Sequence, residues 1–489
     1  MPIGRVSMNN IVGILASLIY IFLVLSIATF AARYVGQHSE VPRKLVHILV
    51  GNWVFITPLF DQLWALIAVP LLFVIVNWIS KIKQVFQAME RDDDSWGTVY
   101  YAISLLVLSL LAYWLKKPVI LYAGILIMAY GDGLAALIGR KYGKRQHFMG
   151  VQGKSLPGSV CVAIVSGLIS FICLIYFYRH VAIWYLLFLA IITGLYAAVL
   201  ELISHKGLDN LTLPIGTGLF ITVSTFSFNR SYLLFLMLIG FILLLAFLRH
   251  KLTLDGVAVA FLTGAIIFSL GNLWLGLALL SFFILGTVIT KFGPASKPDK
   301  SSSAPRNWKQ VVANSFPSVI LVLGYSLYGF EEFLMIAFSI FSAAASDTFA
   351  SELGTKTNSK VVSIITLKEV PKGISGGVSI LGLGFSILGS FLLALYAYPS
   401  FGWTGFWING TLGVFGMLLD SVLGATLQQK YAHPDGSLRD TPAYKGQRRT
   451  HQWQVLTNNG VNFITLCLVA VVGILWIAIQ MLSANPKYK

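Results

Sequence analysis

Residues 11–32 read "IVGILASLIYIFLVLSIATFAA", a run of 22 residues with no charge and no proline. A helix rises 1.5 Å per residue, so about 20 apolar residues cross the roughly 30 Å hydrocarbon layer of a bilayer. The run is too long for the core of a cleaved leader and carries no small-residue cleavage site, so it is read as a first membrane helix. Runs of the same kind recur as far as "FITLCLVAVVGILWIAIQML" at 463–482. Composition agrees, with 57% of the 489 residues hydrophobic, 11% charged and a mean hydropathy of +0.79. Ordinary soluble domains carry roughly 25% charged residues. The expected fold class is all-α, a polytopic integral membrane protein of about 16 transmembrane helices, among them 46–60, 211–228, 373–399 and 404–428.

The net charge of +16 does not point to nucleic acid, because the basic residues collect between the apolar runs. Alternate gaps hold 28 of the 35 Lys and Arg residues. By the positive-inside rule those gaps are cytoplasmic and both termini lie outside. Cys161, Cys173 and Cys467 all sit in apolar runs without disulfide or zinc spacing and are read as packing residues. Two polar breaks stand out, "LRHKLTLDG" at 248–256 and "KFGPASKPDKSSSAPRNWKQ" at 291–310. The first is taken as the junction of two helical membrane domains, 1–250 and 251–489.

In the first half, "GDGLAALIGRKYGKRQ" (131–146) places Asp132 at the inner end of a span, with Ala135, Ala136 and Gly139 on one helix face. Arg140, Lys141 and Lys144 follow, and then Lys154, Ser155, Gly158 and Ser159 in "GKSLPGS" (153–159). Proline suits the first turn of a helix, and free N–H groups there bind anions, of which phosphate is the obvious one. A carboxylate beside polyphosphate implies a divalent cation, since Mg²⁺ binds through one or two carboxylates plus phosphate oxygens. Asp132 is then a metal ligand, or else it merely pairs with Arg140 or a neighbouring lysine at the membrane edge. "ELISHKGLDNLTLP" (201–214) adds Glu201, Asp209 and Asn210 on the same side, as site residues or as helix-capping groups. "VPRKLVHILVG" (41–51) brings Arg43, Lys44 and His47, which also read as interfacial anchors.

The second half repeats the layout. Asp347 in "SDTFASELG" (346–354) precedes Gly354 by seven residues, as Asp132 precedes Gly139, and Asp347 to Gly373 matches Asp132 to Gly158 at 26. Glu352, Asp420, Gln428, Asn314, Asn459 and Asn462 supply further polar groups. Asp347, Glu352 and Asp420 are candidate metal ligands, Asp347 and Asp420 candidate catalytic acids, and Arg306, Lys368, Lys372, Gly376 and Gly377 candidate phosphate contacts. Charged groups this deep in a membrane protein default to functional hypotheses.

The four first-half segments together resemble the phytol kinase and dolichol kinase family, polytopic CTP-dependent kinases of isoprenoid alcohols. On that likeness Asp132, Gly139, Gly143, Lys154, Gly158, Ser159, Glu201, Asp209 and Asn210 match family positions, with Asp132 and Asp209 as candidate catalytic acids, either of them holding metal or orienting the hydroxyl, and Glu201 as a further candidate metal ligand. The second half, through "RNWKQVVAN" (306–314), "PKGISGGVSILG" (371–382), "LLDSVLGATLQ" (418–428) and "NNGVN" (458–462), resembles the phytyl-phosphate kinase family. The two likenesses imply a bifunctional enzyme that converts an isoprenoid alcohol to its monophosphate and then to its diphosphate. They imply Mg²⁺ and a nucleoside triphosphate, CTP or another, as cofactors, sites facing the cytoplasm in the inner membrane, and no nucleic-acid partner. The competing readings are a CTP-dependent lipid cytidylyltransferase and a transporter of phosphorylated lipids or anions.

Overall fold

The computed structural model describes residues 8–35, 40–83, 95–143, 147–148, 151–292, 304–355, 359–434, 436, 438–444 and 446–484. They form two compact units, Met1–Phe228 and Asn229–Lys489. The first contains α1 (Met8–Val35), α2 (Glu40–Gly51) running into a 3₁₀ helix (Asn52–Leu59), α3 (Leu63–Lys83) and α4 (Gly97–Leu115). Next come α5 (Val119–Leu126), a π-helical turn (Ile127–Asp132) and α6 (Gly133–Tyr142), then α7 (Leu156–Phe177), α8 (Ile183–Ile203) and α9 (Asp209–Ser224). The second contains α10 (Arg230–Leu248), α11 (Leu254–Ile266) with a π-helical end (Ile267–Gly271), α12 (Leu273–Phe292) and α13 (Trp308–Tyr328). It closes with α14 (Glu331–Gly354), α15 (Ile380–Ala394), α16 (Tyr398–Thr426) and α17 (Asn458–Ala484). Short antiparallel strand pairs join α6 to α7, α14 to α15 and, as β5 (Tyr431–Ala432) with β6 (Leu438–Arg439), α16 to α17.

The chain is an all-α polytopic membrane protein, and 13 of the described helices are long and apolar enough to cross a bilayer. Three of the 16 expected spans take other forms. The span at 46–60 is built from the 12-residue α2 and an eight-residue 3₁₀ helix, and the one at 211–228 is the 16-residue α9. The remaining difference is a 47-residue helical stretch, Ile380–Thr426. It folds back as a hairpin, because Ser390 donates to the Gly410 carbonyl at 2.7 Å across α15 and α16.

The division of the units falls about 20 residues before the expected junction at 250. The charged break at 249–254 is no linker, because Thr253 N–H donates to the Arg306 carbonyl at 3.0 Å and Arg306 N–H to the Lys251 carbonyl at 3.1 Å. That bridge ties the residues after α10 into the second unit, where α10 packs on α11 and α12.

Helix faces follow the logic of lipid as solvent, with small and weakly polar side chains inward and large apolar ones outward. On α7, Leu156, Val160, Ile164, Leu168 and Ile172 recur every four residues and are all exposed, whereas Cys161, Ser166, Ser170 and Cys173 are buried. All three cysteines are free thiols, as expected of packing residues. Gly194 of α8 meets α7 so closely that a methyl group there would lie 2.2 Å from the Ala163 carbonyl oxygen. The core of the first unit centres on Trp53, Leu105, Leu108, Ile120, Met128 and Phe220, and that of the second on Val322, Ile336, Phe338, Phe341 and Val469.

The two units share a packing scheme over five helices each. In the first, α4 packs on α5 and α9, α5 on α9, and α8 on both α7 and α9. In the second, α13 packs on α14 and α17, α14 on α17, and α16 on both α15 and α17. A matching local motif fixes the register. Ser155 caps α7 by accepting from Gly158 N–H, and Gly139 lies against Gly158, with a methyl at Gly139 placed 3.5 Å from the Gly158 Cα. Ser379 caps α15 by accepting from Gly382 N–H, and a methyl at Gly354 would lie 2.9 Å from the Gly382 Cα. The counterpart of Gly158 is therefore Gly382 and not Gly373. Gly373 sits in the longer second loop with φ +84° and open space around it.

Candidate functional site

In the first unit the π-helical turn that ends at Asp132 is the focus. π-bulges recur at functional sites because they break the regular hydrogen-bond ladder. Small residues let α2 close onto this turn: a methyl at Gly51 would lie 2.3 Å from Ala129 Cβ, and one at Gly133 would lie 2.6 Å from Ile48. The approach brings Lys44 Nζ to Asp132 Oδ2 at 2.6 Å and His47 Nε2 to the same oxygen at 3.4 Å. His47 Nε2 also lies 3.1 Å from the Met128 carbonyl, and Tyr101 donates to the His47 carbonyl at 3.0 Å. Asp132 and Lys44 are only 7% and 6% exposed, so this pair is an interior one and not a membrane-edge pairing with the residues that follow Asp132 in sequence. Lys44 and His47 were legible as a polar pair three residues apart on one helix face. Of the two readings open from sequence, site cluster and interfacial anchor, the burial of Lys44 favours the first.

A second pair stands beside the first. Lys154 donates to Glu201 Oε1, and Asp209 interacts electrostatically with Asp132, Lys154, Lys44 and Glu201. Lys154, Glu201, Asp209 and Asp132, expected together from sequence, are thus gathered from four elements. Asp209 opens α9 without capping it, and its Oδ1 accepts from Asn210 N–H at 3.0 Å. Three buried atoms of the candidate residues, Glu201 Oε2, Asn210 Oδ1 and Ser159 Oγ, have no hydrogen-bond partner among the described residues. A buried acceptor without a donor costs about 1–3 kcal/mol, so these atoms suit a ligand's donors or a cation.

Other expected contacts fall elsewhere. Ser155 and Gly158 form the helix cap described above. Arg140 and Lys141 sit exposed on the last turn of α6, with Lys141 over the Tyr142 ring at 5.2 Å. They lie eight and nine residues beyond Asp132, about 12 Å along the helix. Lys144 is outside the described residues.

Breaking the Lys154–Glu201 pair tests its character. Lys154→Met strands a buried carboxylate, which typically costs about 3–5 kcal/mol, whereas replacing both partners with neutral groups is often close to neutral. Thermal unfolding in detergent should therefore show Lys154→Met well below the Lys154→Met/Glu201→Gln double variant. Equal destabilisation of the two would refute the pairing.

The second unit holds an open-sided cavity of about 1510 Å³. Arg306, Asn314, Asp347, Glu352, Lys372, Gly376, Gly377, Asp420, Gln428, Asn459 and Asn462 all line it, so the sequence candidates converge, with one exception. Lys368 lies exposed on the turn between the strands that precede α15, away from the cavity wall. Asp347 and Asp420 interact electrostatically, and Asp420 Oδ1 accepts from Thr465 at 3.2 Å. Asn462 donates to Asn314 Oδ1 at 3.4 Å, joining α17 to α13 at the rim. Gly376, at φ +88°, lies against Ala425, where a side chain would collide with backbone atoms at 2.6–2.7 Å. Burial lowers the pKa of Arg306, and the charge of Glu352 opposes that shift.

Among the described residues no three His, Cys, Asp or Glu side chains converge to hold a metal ion by themselves. Mg²⁺ does not need such a cage, because it takes one or two carboxylates and completes its shell with phosphate oxygens and water. The unpartnered Glu201 Oε2 in the first unit and the close Asp347 and Asp420 in the second fit that donor set.

Residues 237–470 match a family described as integral membrane protein DUF92. An uncharacterized membrane protein of Methanocaldococcus jannaschii is 33% identical over 199 residues, covering 40% of this chain and 74% of that protein. A phytol kinase of Synechocystis is 32% identical over 223 residues, covering 42% of this chain and 88% of the kinase. The chloroplastic phytol kinase 1 of Arabidopsis thaliana is 30% identical over 216 residues, covering 40% and 69%. No solved structure matches the chain. The chain is therefore an integral membrane protein whose residues 237–470 match the family described as DUF92, and its own relatives include phytol kinases.

Proposed function

We propose that this protein is a bifunctional isoprenoid kinase, whose first unit phosphorylates a prenol and whose second unit adds another phosphate to the monophosphate. The observation that carries the reading is the buried Lys44–Asp132 and Lys154–Glu201 cluster beside the Ser155-capped start of α7, in a chain related to phytol kinases. Phosphoryl transfer asks little covalent chemistry of a protein and much positioning and charge stabilisation. A cluster of two lysines and three acids beside a helix start supplies both.

In the proposed reaction the prenol's oxygen attacks the terminal phosphorus of a nucleoside triphosphate, taken to be CTP. The bond to the bridging oxygen breaks, and the nucleoside diphosphate leaves. Asp209, near the cluster and at the head of α9, accepts the hydroxyl proton. Lys154 neutralises charge that builds on the transferring phosphoryl oxygens, and Lys44 and His47 fix the orientation of Asp132. Asp132 and Glu201 are the residues suited to hold Mg²⁺, which when bound shields the phosphate charge. In the second unit Asp347 and Asp420 would hold the metal, and Arg306 and Lys372 would contact phosphate. The isoprenoid tail stays in apolar surroundings, and the concentration of Lys and Arg in alternate gaps supports a cytoplasmic face for both sites.

Membranes bearing the protein, given γ-labelled CTP or ATP with phytol, geranylgeraniol or farnesol, should yield labelled lipid mono- and diphosphate. Label from α-labelled CTP in the lipid product would instead indicate a cytidylyltransferase. No lipid label with any alcohol would end the kinase reading.

A further inference from the structure

The cavity of the second unit is two-sided. One wall carries the charged and amide groups described above; the other, from α10–α12, is formed by Ile239, Leu243, Ala260, Leu279, Phe282 and Phe283. At about 1510 Å³ it is larger than the roughly 300–1,000 Å³ of a typical small-ligand pocket, and has room for two reactants. Arg306 stands at the seam. Its main chain is fixed by the bridge to residues 251–253, and its guanidinium lies over the Phe283 ring at 5.7 Å. One turn further along α12, a methyl group at Gly286 would lie 3.1 Å from a guanidinium nitrogen, so glycine leaves the space that the head group of Arg306 occupies. A fixed cation backed by an aromatic ring, with aliphatic wall beyond it, matches an amphiphile with an anionic head.

We propose that the α10–α12 wall seats the hydrocarbon tail of an isoprenoid monophosphate, with Arg306 receiving its phosphate beside Phe283 and the wall at Ala260 setting the chain length accepted. The proposal rests on the reading of the second unit as a prenyl-phosphate kinase, and it adds where the tail lies and what measures it. Phosphatidic acid offers the same head-group chemistry with two bulkier tails, so it is the natural rival ligand.

The full-length protein in detergent is to be photolabelled with a farnesyl monophosphate analogue that carries a diazirine at the tail end, and the adducts mapped by mass spectrometry. Adducts are expected on residues 239–283. Geranylgeranyl monophosphate should compete at least 10-fold more effectively than geranylgeraniol or dioleoyl phosphatidic acid. Adducts confined to residues 8–228, or equal displacement by phosphatidic acid, would overturn the proposal. In a second measurement, Ala260→Phe should lower kcat/KM for geranylgeranyl monophosphate at least 10-fold more than for geranyl monophosphate, and an equal loss for both would count against the wall as a gauge. Adducts at 239–283 without any conversion to diphosphate would preserve the tail site and refute the kinase reading. Conversion with adducts elsewhere would do the reverse.

Discussion

Asp132→Asn should reduce phosphorylation of the alcohol by about 10²- to 10³-fold, the loss that follows removal of one preorganised electrostatic group. Conversion of added monophosphate to diphosphate should stay within about twofold, because that step is assigned to residues of the other unit and independent sites do not couple. The substitution keeps the size of the side chain but leaves Lys44 without its anionic partner at 2.6 Å in a buried setting. Part of the loss then arises from misplacement of the helix α2 face that carries His47. Adding Lys44→Gln to the Asn variant should recover stability without recovering activity, which separates the structural part of the effect from the chemical one. If Asp132→Asn stopped both phosphorylations equally in a protein that remains folded, a single shared site would be the better description.

The membrane class was legible from a single apolar run, since the thickness of the bilayer fixes the length of a spanning helix whatever the protein does. Helix number was legible less closely, with 13 spanning helices among the described residues against about 16 expected. The three spans that differ are those where chain irregularity matters: the 3₁₀ continuation of α2, the short α9 and the α15–α16 hairpin. Candidate acids were legible because ionisable residues in apolar surroundings are costly and few. Lys44 was harder to place, because a lysine near a span end satisfies the orientation rule whether it faces lipid head groups or the protein interior. Only its neighbours in space, 88 residues away in the chain, decide between the two. The repeat shows the same limit. Asp132 and Asp347 were matched to glycines 26 residues on, but conserved packing tracks the cap serines, 23 residues after Asp132 and 32 after Asp347. Loop length between two helices is weakly constrained, since doubling a loop costs only about 0.6 kcal/mol, so equal spacing across a loop is poor evidence of equivalence. The seven-residue spacing within one helix, Asp132–Gly139 and Asp347–Gly354, is fixed by helix geometry and held.

Asp347→Asn should have the opposite phenotype to Asp132→Asn: the alcohol is still phosphorylated, diphosphate falls by about 10²- to 10³-fold, and the monophosphate accumulates. The reason lies in the neighbourhood of Asp347. Its carboxylate shares the cavity with Asp420, and the two interact electrostatically. Like charges in a partly buried site repel and are held together only by a cation between them or by protonation. If Mg²⁺ with nucleotide is that cation, Asn at 347 removes both the repulsion and one metal ligand. The two effects have opposite signs in different measurements. Without metal or nucleotide, the variant should unfold at a temperature no lower than the parent. With Mg²⁺ and nucleotide added, the parent should gain stability by mass action and the variant should gain little. A variant that loses stability without metal yet keeps its metal-dependent gain would assign Asp347 a packing role and move the search for the metal ligand to Glu352 and Asp420.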